Sequence, residues 1–245
     1  MTGTETAKVP EIPDLLLSVV IPVYNEVDTL ETVIDRVRKC GVRTEIILVD
    51  DYSTDGTREL IKTRLRAKVD RVLFHRKNMG KGAALRHGFK AATGDLCIVQ
   101  DADLEYDPRE FHKLMAPFVS GAADADVVYG SRYARGRSLR VDGFWHEFGN
   151  KMLTLVSNVF SDLSLTDMET CYKMFRTEVI QTIPIEENRF GFEPEITAKI
   201  AKRKLQLYEV PISYAPRAYN EGKKIGLKDA FRAIYCIIKY NLFQD

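Results

Sequence analysis

The chain has a single tryptophan, four cysteines and four histidines in 245 residues, and almost no net charge. Each shortage removes a class of protein. Lys plus Arg number 36 against 35 for Asp plus Glu, so no overall field draws the molecule to nucleic acid or anionic lipid, and recognition by charge must be local. Cys40, Cys97, Cys171 and Cys236 lie far apart with no C-x-x-C pair, three of them among apolar neighbours, which reads as reduced cysteine in a cytosolic protein. No H-E-x-x-H or Cys/His zinc spacing occurs, and no His pairs with Ser or Cys in a nucleophile context, so hydrolase chemistry is unsupported. A Walker G-x-x-x-x-G-K-[ST] loop is missing, as is G-x-G-x-x-G after the first strand; both absences count against an NTPase and a dinucleotide-dependent dehydrogenase. No stretch approaches the roughly 20 apolar residues that cross a bilayer. Residues 1–14 hold three Thr and two Pro without an apolar run and read as a loose tail, not a signal peptide.

What is present is a regular alternation. The run 15–21, apolar apart from Ser18, reads as a strand covered on both faces, and Asp28 with Glu31 forms a capping-box pattern before a helix whose apolar face is Leu30, Val33, Ile34 and Val37. The same grammar predicts strands at 45–49, 71–74 and 96–99, with helices from Thr57 and over 82–92. Further helices are expected at 108–119, 150–160 and from Pro194, and strands at 126–129, 170–175 and 205–212. This is an α/β chain with a mostly parallel sheet flanked by crossover helices, in which ligands bind beyond the carboxyl ends of the strands. Residues 15–226 read as one domain, with a nucleotide half at 15–130 and an acceptor half at 131–226. Residues 130–149, rich in Arg and Gly, read as an acceptor loop, and 227–245 as an amphipathic helix.

Four strand-end loops carry polar signatures. Asp101 and Asp103 follow the strand at 96–99, where like charges repel and a divalent cation resolves the conflict. Mg²⁺ or Mn²⁺ prefers carboxylate oxygens and shares its shell with phosphates, so the pair points to a metal holding a diphosphate, with Glu105 near enough to help. The alternative is a solvated acidic turn capping the next helix. Asp51, at a parallel strand end, is placed to accept hydrogen bonds from a base or ribose, whereas Asp50 has a structural reading and Asp55 closes a turn. Gly80-Lys81-Gly82 opens a helix whose free N–H groups favour an anion, and Lys81 is within reach of a phosphate. Arg132 offers bidentate hydrogen bonds to phosphate, or is a surface Arg. Arg217, Lys223, Lys224 and Lys228 stand among a single acid, Glu221, just before the amphipathic helix. That pairing suits an anionic headgroup at a membrane surface, or equally a solvated loop before a core-packing helix.

Taken in order, V-I-P-x-Y-N-E, V-D-D-x-S-x-D-G-T, N-x-G-K-G, A-T-G-D, D-A-D and G-S-R-Y over residues 16–135 resemble family 2 of the inverting glycosyltransferases. Residues 209–224 look like the tail of its dolichyl-phosphate mannose synthase and polyprenyl-phosphate branch. The resemblance implies a GT-A-type nucleotide-binding fold. It implies that Pro22, Tyr24, Glu26 and Asp51, with Lys81 and Ala102, hold a nucleotide-sugar donor, and that Asp101, Asp103 and Glu105 serve the metal. Arg132, Arg217, Lys223 and Lys224 would face donor or acceptor phosphate, with Asp103, Arg132 and Arg217 acting in catalysis. Two departures stand out: Glu221-Gly-Lys-Lys224 replaces the branch's G-x-S-K, and the stretch from Asp167 to Arg176 lacks the usual small residues.

The resulting expectation is transfer of a hexose, of the GDP-mannose or UDP-glucose type, to a polyprenyl phosphate at a membrane surface. The protein would be peripheral on the cytoplasmic face, alone or beside a membrane-embedded partner subunit. An ionised acceptor phosphate needs no base; a hydroxyl acceptor does, and Asp167, Glu193 and Glu195 are the candidates, although Glu193 and Glu195 also read as the acidic first turn of a helix. Rival classes are a sugar nucleotidyltransferase and a non-catalytic nucleotide-sugar-binding module.

Overall fold

The computed structural model describes residues 14–119, 124–134, 144–216 and 227–243. The expected tail at 1–13 lies outside them, as do Arg217, Lys223 and Lys224, part of the loop expected at 130–149, and the side chain of Lys228.

Apolar, β-branched runs become strands buried on both faces. β1 (Leu17–Val23), β2 (Thr44–Asp50) and β4 (Leu96–Val99) are almost wholly buried, while β3 (Arg71–Phe74) forms an exposed edge. With β5 (Val127–Ser131), β6 (Lys173–Arg176) and β7 (Leu207–Pro211) they form one sheet in the order β3-β2-β1-β4-β6-β5-β7. The β1–β2, β1–β4, β2–β3 and β5–β7 pairs are parallel, and β6 runs antiparallel to both β4 and β5. The mostly parallel sheet is found, with one reversed strand. The reversal matters, because it brings the segment before β6 to the same end of the sheet as the segments after β1, β2, β4 and β5. The chain winds outward from β1 to β3 and then crosses to β4, so the switch point for ligand binding lies between β1 and β4.

Helix α1 (Leu30–Arg38) buries Leu30, Val33, Ile34 and Val37, the face its periodicity predicts. The capping box does not form. Thr29 stands at the cap and its hydroxyl donates to Glu26, while Glu31 is drawn off to Lys68 and Arg64. Helix α2 (Thr57–Leu60) runs into a π turn, Ile61–Leu65, and α3 (Lys81–Ala91) starts one residue before the expected Gly82. Helix α4 (Phe111–Val119) follows a short 3-10 turn at Pro108–Glu110 that is capped by Asp107. Helix α5 (Phe144–Ser161) begins six residues earlier than expected. Gly149 does not stop it, since a glycine there costs only about 1 kcal/mol of helix propensity. Helix α6 (Thr177–Thr182) was not anticipated; α7 (Phe192–Lys202) was, and α8 (Leu227–Ile238) packs against both α5 and α7.

Helix α3 fits its neighbours only through missing side chains. A Cβ on Gly82 would run into the carbonyl oxygen of Glu187, and one on Gly88 into the side chain of Val20. Alanine normally improves a helix by about 1 kcal/mol over glycine. Here the sign should reverse: Gly82→Ala is expected to lower unfolding free energy by about 1–3 kcal/mol in urea titration, and a gain would mean that α3 and the 187–189 segment are not in contact.

Candidate active site

Each strand end delivers one part of a polar rim. Pro22, near the end of β1, is partly covered, and beyond the strand Tyr24 is half-exposed and Glu26 partly covered. Glu26 accepts the hydroxyl of Thr29, and the Asn25 side chain accepts the N–H of Thr54, which fastens this loop to the one after β2. Asp50 is wholly buried and paired to Arg58 at 2.6 Å, so its structural reading is correct. Asp55 accepts the N–H groups of Val27 and Thr57 and the Thr57 hydroxyl, closing the turn as expected.

Asp51 is also buried, and its carboxylate is largely spent. It accepts the N–H of Met79 at 2.7 Å, the N–H of Gly80 at 2.6 Å and a ring nitrogen of His75 at 2.7 Å. A carboxylate has room for about four such bonds. Three are used on the segment from His75 to Gly80 that leads into α3, so the role this structure displays for Asp51 is to shape that loop. Two bulky residues beside the key carboxylates, Tyr52 and Leu104, hold left-handed φ angles of 69° and 65°, strain of about 1–3 kcal/mol each that the surrounding contacts must sustain.

Beyond β4, Asp101 and Asp103 sit on one partly covered turn around the buried Ala102. Lys81 reaches across from the first turn of α3, its Nζ 2.9 Å from Asp101 Oδ2 and 3.3 Å from Glu193 Oε1. Burial alone would lower the Lys81 ammonium, but Asp101, Cys171 and Glu193 more than reverse this and hold it well above its ordinary value. Asp103 accepts the N–H of Glu105, and Glu105 accepts the Tyr214 hydroxyl at 3.0 Å. Among the described residues no three His, Cys, Asp or Glu side chains gather into a metal cluster, so the expected trio of Asp101, Asp103 and Glu105 is not assembled. Two hard oxygen donors on one accessible turn still fit a Mg²⁺-like ion that takes the rest of its shell from phosphate and water.

The antiparallel β6 brings in what the sequence reading assigned only in part. Arg132, at the end of β5, is buried and gripped by Asp167 through Nε at 2.7 Å and Nη2 at 2.8 Å; the Arg132 N–H donates to the same carboxylate. Asp167, one of the candidate bases, is fully buried with both its oxygens on Arg132. Glu195 is engaged likewise: it accepts the N–H groups of Glu186 and Glu187 and pairs with Lys199 at 2.6 Å. Glu193 differs. It is 5% exposed, faces Lys81, and its Oε2 has no partner. Glu169, unassigned by the sequence, lies in the same cluster with an unpartnered Oε1, and burial together with the charge of Glu193 pushes its carboxyl up to about 7. Its only sequence signal was its place two residues after Asp167. Lys173 anchors this segment from below, donating to the carbonyls of Met168 and Thr170. On the far side, the Tyr214 ring lies 5.1 Å from the Arg132 guanidinium, and Pro216 is the last described residue before Arg217.

A buried pair broken on one side leaves an uncompensated charge. Asp167→Asn is expected to cost about 3–5 kcal/mol in chemical denaturation, and the double change Arg132→Met with Asp167→Leu to recover most of that loss; equal losses in both proteins would show that the pair is not buried as described.

Comparison with known proteins bears on this arrangement. Residues 18–183 match the family model described as glycosyl transferase family 2. The dolichol-phosphate mannosyltransferase of Pyrococcus furiosus is 30% identical over 230 residues, 91% of this chain and 64% of its own length, so the chain spans about two thirds of that relative. The undecaprenyl-phosphate mannosyltransferase of Micrococcus luteus is 29% identical over 218 residues, 84% of this chain and 86% of its own. Glucosyl-3-phosphoglycerate synthase from Mycobacterium tuberculosis, solved with Mn²⁺, UDP and phosphoglyceric acid, superimposes with a TM-score of 0.69 at 21% identity, covering 94% of this chain and 80% of that one, a likeness of fold. The matched span takes in the loops after β1 to β5 and the segment that grips Arg132, and the chain belongs to glycosyl transferase family 2.

Proposed function

We propose that the chain transfers a hexose from a nucleotide sugar to a polyprenyl phosphate, with inversion, assisted by Mg²⁺ or Mn²⁺. The observation that carries this reading is the Asp101–Asp103 turn at the β1–β4 switch point, with Lys81 on one side and the Asp167-held Arg132 beyond. Names of the Pyrococcus and Micrococcus relatives support the acceptor class, and the Mn²⁺ and UDP of the mycobacterial structure support the donor and metal. Asp101 and Asp103 would hold the ion, with Glu105 oriented by Tyr214 beside them. When bound there, the ion neutralises the leaving diphosphate. Pro22, Tyr24 and Glu26 frame the opening for the nucleoside, and Asp51 holds the loop that aims Lys81. Two of the five N–H groups of Arg132 go to Asp167, which leaves the others for a phosphate. Arg217, Lys223 and Lys224 would add to that phosphate site. A polyprenyl monophosphate, with a second pKa of about 6, arrives largely ionised and needs no base.

The acceptor's setting also has support. No helix among the described residues is long and apolar enough to cross a membrane. The outward face of α5 nevertheless carries Phe148, Met152, Leu155 and Val159, all exposed, and the neighbouring α8 exposes Phe231 and Tyr235. Surface helices of globular proteins are polar on that side. An apolar face of this kind suits peripheral contact with the bilayer that carries the acceptor, and the four free cysteines suit a reducing compartment such as the cytoplasm.

A hydroxyl acceptor is the second reading, favoured by one observation: Glu169 is a buried carboxyl near neutrality with an unpartnered oxygen, beside Glu193. The discriminating assay is release of UDP or GDP from a panel of nucleotide sugars with Mn²⁺, with and without polyprenyl phosphate in vesicles. Donor-specific release that needs the lipid, and that falls about 10²-fold or more in Asp103→Asn, is the expected result. Under that result Glu169→Gln leaves lipid-dependent turnover unchanged. Release that ignores the lipid but stops in Glu169→Gln would move the assignment to a hydroxyl acceptor.

A further inference from the structure

We infer that Lys81 is a resident counter-ion of the carboxylate turn, occupying Asp101 in the absence of ligand and giving it up only when a divalent ion and a diphosphate arrive together. The inference rests on the donor and metal reading above and adds the order in which the site fills.

The geometry sets up a conflict. Lys81 Nζ lies 2.9 Å from Asp101 Oδ2, and a divalent ion bound to that oxygen at about 2.1 Å would stand within about 5 Å of the ammonium. A single and a double positive charge at that range repel strongly, even with substantial screening. The turn cannot serve both cations at once without an added anion. A diphosphate supplies it, since its oxygens accept the ammonium on one side and complete the metal shell on the other.

The swap needs only the side chain to move. The backbone of Lys81 is fixed from two directions: Asp51 holds the N–H of the preceding Gly80, and the close packing of Gly80 and Gly82 on residues 187–189 leaves no room for a shift. Above that fixed point stands a four-carbon stem with three rotatable donors. Of Lys81 and Arg132, Lys81 is the more loosely held: Arg132 is gripped bidentately by Asp167, whereas Lys81 makes two single contacts of 2.9 and 3.3 Å. Its departure takes from Glu193, whose second oxygen is already without a hydrogen-bond partner, its ion pair with Lys81, and leaves that carboxylate to the longer-range charge of the buried Lys173. That imbalance opposes metal entry by itself and is relieved when the donor's polar groups fill the space.

The test is Mn²⁺ binding followed by the loss of the free-ion EPR signal, with and without UDP or GDP, in the full chain, so that no turnover is read. Wild type is expected to bind Mn²⁺ weakly alone and much more tightly with its diphosphate. Lys81→Met keeps the buried stem and removes the charge. It is expected to bind Mn²⁺ alone about tenfold more tightly than wild type, while the gain from adding diphosphate shrinks. Lys81→Arg, which keeps the charge, should bind Mn²⁺ alone as weakly as wild type and controls for packing. Equal Mn²⁺ affinity of wild type and Lys81→Met without nucleotide overturns the inference and leaves the metal reading intact. Failure of every variant to bind Mn²⁺ even with diphosphate overturns both.

Discussion

The carboxylate of Asp51, buried at the end of β2, holds the N–H groups of Met79 and Gly80, and the position of α3 follows from that grip. Because α3 begins directly after Gly80, the clamp decides where Lys81 starts and which carboxylates its ammonium reaches. Gly80 carries a φ of 93° that a side chain would strain, and with Gly82 it lies against the 187–189 segment. That segment is itself held by Glu195, through the N–H groups of Glu186 and Glu187. The first turn of α3 is thus braced on one side by the early strands and on the other by α7.

The rim that results is rich in carboxylates, and low exposure makes each unpaired charge costly. The protein settles most of them internally. Asp50 takes Arg58, Asp167 takes Arg132, Glu195 takes Lys199, and Asp101 shares Lys81 with Glu193. These pairs are not equivalent. Those of Asp50, Asp167 and Glu195 include hydrogen bonds to main-chain N–H groups, which makes them part of the framework. The Lys81 contacts have no such support among the described residues, and they link the carboxylate turn to Glu193, one of whose oxygens is without a hydrogen-bond partner. Rigidity and exchange are divided along that line.

The same division extends outward to α5 and α8. Thr154 on α5 accepts the N–H of Met168, and Asn150 donates to Tyr133, so the helix bearing the exposed apolar stripe also supports the segments on either side of Arg132. Helix α8 is tied in through Arg232 to Glu187, next to the segment that braces α3. Contacts made on the outer face therefore have a short mechanical route to the polar rim.

Much of this was open to reading in the linear chain. Buried strands announce themselves as β-branched runs, α1 by its 3.6-residue period, and the loops after β1, β2, β3 and β4 by polar residues placed where a parallel sheet leaves them. Those signals are local, and local physics decides them. The roles of individual carboxylates were not local. Asp167 and Glu195 look in sequence like free acids, yet each is consumed by a partner that only the fold supplies: Arg132, 35 residues earlier in the chain, and the turn before α7. Glu169 joined the site because β6 runs backwards, an orientation set by pairing with β4 and β5 and invisible to any periodicity. The sequence by itself determined the parallel strands, their loops and the family resemblance; tertiary structure alone decided the reversal of β6 and which charges are spent and which are left to act, because pairing depends on distance in space and burial, and neither is written along the chain.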